Sequence, residues 1–364
     1  MKSPYYFLIL LLVFFLFIYS SSIIASDISF GGQIDASLMA YKNIELGFSF
    51  LPQANLDVEL FLPAWSHYEI KCEGYFFTDI AKEKVSFFWK KLYWKNKFEK
   101  LHISIGRQPI SWSFGSLLNP VDYTLGAVAL DRDNNSKYQN ALEVYFPINW
   151  NTSLSFIASI PNNSNDLKMG IRGRTLINDF DVTVHFIQEQ FTSTKEGQQR
   201  LGLTAKGDLG PFGIYSALGI YRKKELSFSF LTGLDYSYFF QAGNQLYFQI
   251  EYINMPPEVF SQITGSLLIQ EEKVGDENIN LLVNHSSYQI DEFSSISLTS
   301  LSNFNEGSNL IISEYSNQFN TNTTFRVQAG MMIESKQDLN LSTLKSFFNR
   351  SPNLFIDLGI NYSF

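Results

Sequence analysis

The sequence predicts an all-β protein: one antiparallel up-and-down β-barrel of about eighteen strands, closed on itself, with its apolar face turned outward to lipid. Three observations predict it. Stretches of alternating apolar and polar residues recur from Asp27 to Phe364, each about as long as a tilted strand needs to cross a bilayer. Aromatic residues make up 16% of the chain, with 19 Tyr and 34 Phe, yet beyond the N-terminal segment no apolar run is long enough for a membrane helix. Finally, the connections between stretches are long after odd-numbered strands and short after even-numbered ones. That is the asymmetry of a transmembrane barrel whose two chain ends emerge at the same rim.

The clearest strand is Leu226 to Phe240, where Leu226, Phe228, Phe230, Leu234, Tyr236, Tyr238 and Phe240 share one face and Ser227, Ser229, Gly233, Asp235 and Ser237 the other. Strict period two separates two faces of an extended chain. Phe180 to Phe186, Arg200 to Asp208 and Asn55 to Leu62 repeat the pattern. Read this way, the strands are 28–41, 44–61, 67–80, 84–97, 100–112, 138–148, 151–161, 165–177, 179–191, 198–208, 211–222, 226–240, 244–255, 280–290, 293–304, 308–317, 323–334 and 353–364. Sixteen strands is the alternative count, because 256–317 is Ser/Asn-rich and alternates poorly. The long connections are 113–137, 256–279 and 335–352; the short ones include Pro63–Ser66, Asn149–Trp150, Leu209–Gly210 and Gln241–Gly243. Closure is what allows such a sheet in hydrocarbon, where each unpaired backbone amide or carbonyl costs several kcal/mol. Pro109, Pro147 and Pro161 cannot donate to a ladder and fall at or near strand ends, where they are tolerated.

The last stretch, Leu354 to Phe364, places Leu354, Ile356, Leu358, Ile360, Tyr362 and Phe364 at every second position, and only Phe355 breaks the polar face between them. This aromatic-ended strand resembles the closing strand of bacterial outer-membrane β-barrel proteins. The resemblance implies an assembly signal at Leu358, Ile360, Tyr362 and Phe364, read by the barrel-assembly machinery, and a location in the outer membrane. The other end agrees. Lys2, an apolar core from Phe7 to Tyr19 and a small-residue exit from Ser20 to Ser26 read as a signal peptide over 1–26, cleaved after Ala25 or Ser26. No cysteine stands near that point, which argues against a lipoprotein. The remainder, 27–364, has no linker or composition break and reads as one domain.

Gly106-Arg107-Gln108, then Trp112, Asn119-Pro120 and Asp122 resemble a pattern of porin-like outer-membrane proteins in the group that includes alginate-export barrels; Ser113 stands where that group has glycine. The resemblance implies a strand end opening a long loop, 113–137, that folds inward to narrow a pore with Arg107 at its root. Arg107 and Asp122 could instead pin the loop through a charge-assisted hydrogen bond. Arg107 shares parity with Ile103 and Ile105, so reaching the lumen requires a bulge near Pro109 or a place beyond the lipid band.

Charged residues facing lipid at the midplane cost about 2–4 kcal/mol, so those on the polar faces point inward or sit at the rims. The polar faces carry Asp57, Glu59, Glu69 and Glu73 early, relieved by Lys71, and Lys168, Arg172, Arg174, Arg200 and Lys206 in the middle. These are the candidate pore-lining residues. Walls of opposite sign would set a transverse field across a wet lumen; pairing of the same charges would instead fill it.

The expected function is passive diffusion of small hydrophilic solutes across an outer membrane, with outer-membrane lipid as the surrounding partner and no cofactor or metal. A non-conducting adhesin or structural barrel is the rival reading, and an outer-membrane hydrolase a further one. Asn284-His285-Ser286 is the one run suggestive of acyl-transfer chemistry among four histidines, and it has no flanking signature. A formal charge of -8 with no basic block argues against nucleic acid, and the single Cys72 excludes an intrachain disulfide framework. Neither the oligomeric state nor the solute is legible.

Overall fold

The computed structural model describes residues 28–43, 47–62, 67–79, 84–110, 138–159, 167–190, 198–222, 225–241, 243–257, 278–305, 307–334 and 354–364. The expected signal peptide, the loop 113–137 with Asp122, Pro161 and nearly all of the other two long connections lie outside them. The strands are β1 (Ser29–Asn43), β2 (Gly47–Phe61), β3 (Tyr68–Asp79), β4 (Lys84–Lys97), β5 (His102–Pro109), β6 (Tyr138–Pro147), β7 (Thr152–Ser159), β8 (Leu167–Ile177) and β9 (Phe180–Gln190). They continue as β10 (Gln198–Leu209), β11 (Phe212–Arg222), β12 (Leu226–Phe239), β13 (Gln245–Met255), β14 (Ile279–Gln289), β15 (Ser294–Asn303), β16 (Ser308–Asn320), β17 (Thr323–Glu334) and β18 (Leu354–Ser363).

Every strand pairs antiparallel with its sequence neighbours, and β1 pairs with β18, so one eighteen-stranded sheet closes without an edge. Eighteen, not sixteen, is therefore the count. The Ser/Asn-rich stretch forms three full strands, β14 to β16. The three long connections follow β5, β13 and β17, all odd, and they mark one rim as the loop rim. Among the described residues, the opposite rim is made of tight turns. Asn178 and Asp179, at φ 46 and 69, form the two-residue link from β8 to β9, the doubly left-handed turn that matches strand twist.

Pro109 and Pro147 are the last residues of β5 and β6. Pro52 lies inside β2, but there the ladder to β3 begins only at Gln53↔Asp79, so the position has a partner strand on one side alone.

The register assigns the faces. Ile34, Leu38, Val184, Leu201, Leu203, Leu218, Phe230, Ile356 and Leu358 all point outward and stay exposed. In water such a surface would be unfavourable at about 25 cal/mol per Å2; in acyl chains it costs nothing. Aromatic rings collect toward both rims of this belt: Phe48, Phe50, Phe87, Trp89 and Phe228 near the loops, and Trp94, Phe212, Tyr238, Phe248 and Phe364 near the turns. Aromatic rings form such girdles at both interfaces of membrane barrels. Some pack on one another, as with Tyr238 and Phe240, whose centroids are 4.8 Å apart edge-to-face.

Candidate functional site: the barrel lumen

Inward-facing side chains change character along the barrel axis. In the loop-rim half, Leu231, Ile253, Met255, Leu281, Leu301, Leu310 and Phe355 are at most 2% exposed and belong to one apolar cluster running over β11 to β18 and β1. Ile110, just past β5, and Ala141, Ile157 and Ile187 on β6, β7 and β9 form a second cluster. Toward the turn rim the same strands open. On β12, Ser229 and Leu231 are buried, Gly233, Asp235 and Ser237 half-buried, and Phe239 exposed. On β10, Arg200 and Thr204 are buried, whereas Lys206 and Asp208 are exposed. The lumen is thus a polar vestibule at the turn rim beneath a densely packed layer.

Two pairs of neighbouring strands pack the layer with an aromatic ring over a glycine. Tyr215 on β11 faces Gly233 on β12, where an added Cβ would come within 2.3 Å of the ring; Phe355 on β18 faces Gly330 on β17, where it would come within 2.2 Å. Beneath, Tyr215 donates to Glu251 Oε1 at 2.5 Å, and Gln249 Nε2 donates both to the Tyr215 hydroxyl and to Glu251 Oε1. Sequence reasoning passed over this trio, although Gln249 and Glu251 stand at alternate positions among apolar neighbours.

The structure places Asp57, Glu59, Glu69, Lys71 and Glu73 on the inward faces of β2 and β3, as the alternation implies. It does not leave them as an acidic wall. The β3–β4 register slips by one residue between Glu73 and Gly74, and the extra residue on β4 is Lys90. Lys90 and Lys91 consequently both face inward. Lys90 Nζ lies 2.5 Å from Asp57, 3.8 Å from Glu73 and 4.3 Å from the centre of the Tyr75 ring. Lys91 pairs with Glu73, Lys97 with Glu69 at 3.3 Å, and Lys71 with Glu69 at 3.8 Å. The expected opposition of an acidic and a basic wall is revised accordingly: Lys90, Lys91 and Lys97 of β4, with Lys71 of β3, stand beside the acids. The signal was present in Trp89-Lys90-Lys91-Leu92, where two outward residues stand three apart instead of two.

The basic group occupies inward positions on β8 and β10. Arg174 donates to both carboxylate oxygens of Asp181, at 2.9 Å from Nε and 2.5 Å from Nη2. Arg172 reaches Ser155 Oγ at 3.4 Å and stands opposite His185. Lys168 stands opposite Glu189, Lys206 opposite Asp181, and Arg200 is 3% exposed.

Arg107 behaves differently. It pairs with Leu92 on the outward parity of β5, and its Nε donates to the Trp89 carbonyl just past the last β4–β5 pair. The bulge that the lumen would require lies in the facing strand, at Lys90, and β5 itself runs without a register shift. The chain's Gly106, at φ 126, provides the local bend.

The run Asn284-His285-Ser286 is divided between faces. His285 points inward to Thr299 Oγ1 at 2.8 Å, while Asn284 bonds Ser300 on the outside. Its three side chains cannot act as one acyl-transfer constellation. Among the described residues no group of three or more His, Cys, Asp or Glu could hold a metal.

Leu358, Ile360 and Tyr362 face outward on β18, where β18 meets β1 from Lys42↔Leu354 to Gln33↔Ser363. Phe364 exchanges backbone hydrogen bonds with Gly32 at 3.1 and 3.0 Å. On the inner side of this seam Asp357, fully buried, lies 3.5 Å from Arg326.

An edgeless barrel with a lipid-compatible exterior, ringed rims and a polar inner vestibule is a transmembrane β-barrel of the bacterial outer-membrane kind. Solved structures agree on the fold. OccAB1 of Acinetobacter baumannii aligns over 93% of this chain and 97% of its own at a TM-score of 0.58 with 7% identity. Wzi of Escherichia coli, a carbohydrate-binding β-barrel involved in group 1 capsule assembly, aligns over 96% and 87% at 0.60 with 15% identity. OccK2 of Pseudomonas aeruginosa, solved with glucuronate, aligns over 93% and 98% at 0.57 with 9% identity. No protein-family model and no curated protein matches the sequence.

Proposed function

We propose that the chain is a porin-like outer-membrane channel for passive diffusion of small hydrophilic solutes. The observation that carries this reading is the vestibule: charged side chains of β2 to β4 and β8 to β10 project into an interior that opens at the turn rim. Hydrated charge of both signs along a wall is the usual lining of a diffusive pore. Its likeness in fold to OccK2, solved with a small sugar acid, is in keeping with a solute of that size. The packed layer at the loop-rim half would narrow the route and favour small solutes over large ones.

On the same reading, residues 1–26 are removed on export, and Leu358, Ile360, Tyr362 and Phe364 are recognised by the barrel-assembly machinery. Purified protein reconstituted in planar bilayers tests the proposal. Stepwise openings smaller than an unobstructed eighteen-stranded lumen would pass are expected; a silent bilayer would favour the adhesin or structural reading.

A further inference from the structure

The outer face is not uniformly apolar. On β14 to β16 its parity carries Asn284, Ser286, Ser300 and Ser313, and Asn284, Ser300 and Ser313 stand well inside their strands. At comparable heights β1, β2, β17 and β18 present Ile, Leu, Val, Ala and Met. Asn284 Nδ2 donates to Ser300 Oγ at 3.3 Å, and Ser313 Oγ to the Ala329 carbonyl at 3.4 Å. A primary amide has two donors and a carbonyl acceptor, so one internal bond leaves most of Asn284 to its surroundings. Acyl chains offer no partner to it.

Beside this strip the wall is concave. Ala205, Ser216 and Thr232 leave a depression of about 500 Å3, whose far side is formed by Tyr252 and Leu282. Leu282 precedes Asn284 on the outward face of β14, and the Tyr252 hydroxyl donates to Asn280 at 2.7 Å, so hollow and strip are one continuous surface.

We infer that this face, β10 to β16, is where a second copy of the chain docks within the membrane. Amides and hydroxyls are both donors and acceptors, so the strip is complementary to itself, and it carries no charge that would set two copies against each other. Small side chains let two sheets approach closely, and the hollow accepts side chains from the facing wall. An acyl chain would fill the hollow equally well but would offer nothing to the second donor and the carbonyl of Asn284, which favours protein over lipid.

The test is disulfide trapping in native outer membranes. With Cys72→Ser as background, Ser300→Cys is expected to yield a cross-linked pair of this chain under mild oxidation, whereas Phe156→Cys, on the far side at β7, should not. Asn284→Leu with Ser300→Leu should convert the particle in nanodiscs from several chains to one, with conductance per barrel retained. One chain per particle for the unaltered protein, no Ser300→Cys adduct, or an adduct with a different polypeptide would overturn the inference. So would greater thermal resistance of the double-leucine variant with no change in particle mass, because the strip would then be facing lipid. Channel silence alone leaves these readouts intact, so the two proposals fail separately.

Discussion

Lys90 shows how one residue can set the chemistry of a wall. Inserted as a bulge, it reaches Asp57 and Glu73 and lies over Tyr75. Lys90→Ala removes the cation closest to Asp57, and leaving a part-buried carboxylate short of a partner costs on the order of 2 kcal/mol. Two changes are expected: a lower unfolding temperature, read from heat-dependent mobility on gels, and a shift of reversal potential toward cation preference. Arg172→Glu with Arg174→Glu should shift the potential the same way by lowering anion permeability; an unchanged potential would mean that these arginines lie outside the conduction path. At Gly233 the demand is steric rather than electrostatic. Gly233→Ala puts a methyl group into the Tyr215 ring, and overpacking of this kind costs about 1–3 kcal/mol. The loss should appear as earlier thermal unfolding, and Tyr215→Ala in the same chain should relieve the steric part.

At the level of elements, turns and bulges fix which face each strand shows. The Asn178-Asp179 turn needs positive φ at both residues. Asn178→Val, β-branched and ill-suited to that region, is expected to destabilise the β8–β9 hairpin by about 1–3 kcal/mol, measured by urea unfolding in lipid vesicles. Asn178→Gly should be nearly neutral. β4 illustrates why a strand's faces are not always legible. Its alternation is regular on either side of Lys90-Lys91, but that Lys90 rather than Lys91 is the extra residue becomes evident only against β3. The Asn/Ser strands β14 to β16 pose the opposite difficulty. Leu281-Leu282-Val283 and Leu310-Ile311-Ile312 are apolar on both faces, one toward lipid and the other toward the packed inner layer, so period two is blurred.

For the whole molecule, closure is the event on which the other properties depend. β18 meets β1 along ten residue pairs, and Phe364 bonds to Gly32 at the turn rim. Deleting Phe364 should reduce the amount of assembled barrel without changing the conductance of molecules that insert, because the residue is outside the lumen. Immunoblots of outer-membrane fractions and single-channel records would separate these two effects.

Alternation, length and the parity of long connections are local properties, and from them the sequence alone determined the barrel, a count of about eighteen strands with sixteen still open, and the polar-face placement of Asp57, Glu59, Glu69, Lys71 and Glu73. Period two is imposed by the backbone, so it is readable wherever the two faces meet different solvents. Which charges stand next to each other is not local. The neutralisation of the acidic residues by β4, the outward parity of Arg107 beside Trp89, and the inner apolar layer were decided by the tertiary structure, through cross-strand register. A slip of one residue exchanges the faces, and no strand carries the register of its neighbour in its own sequence.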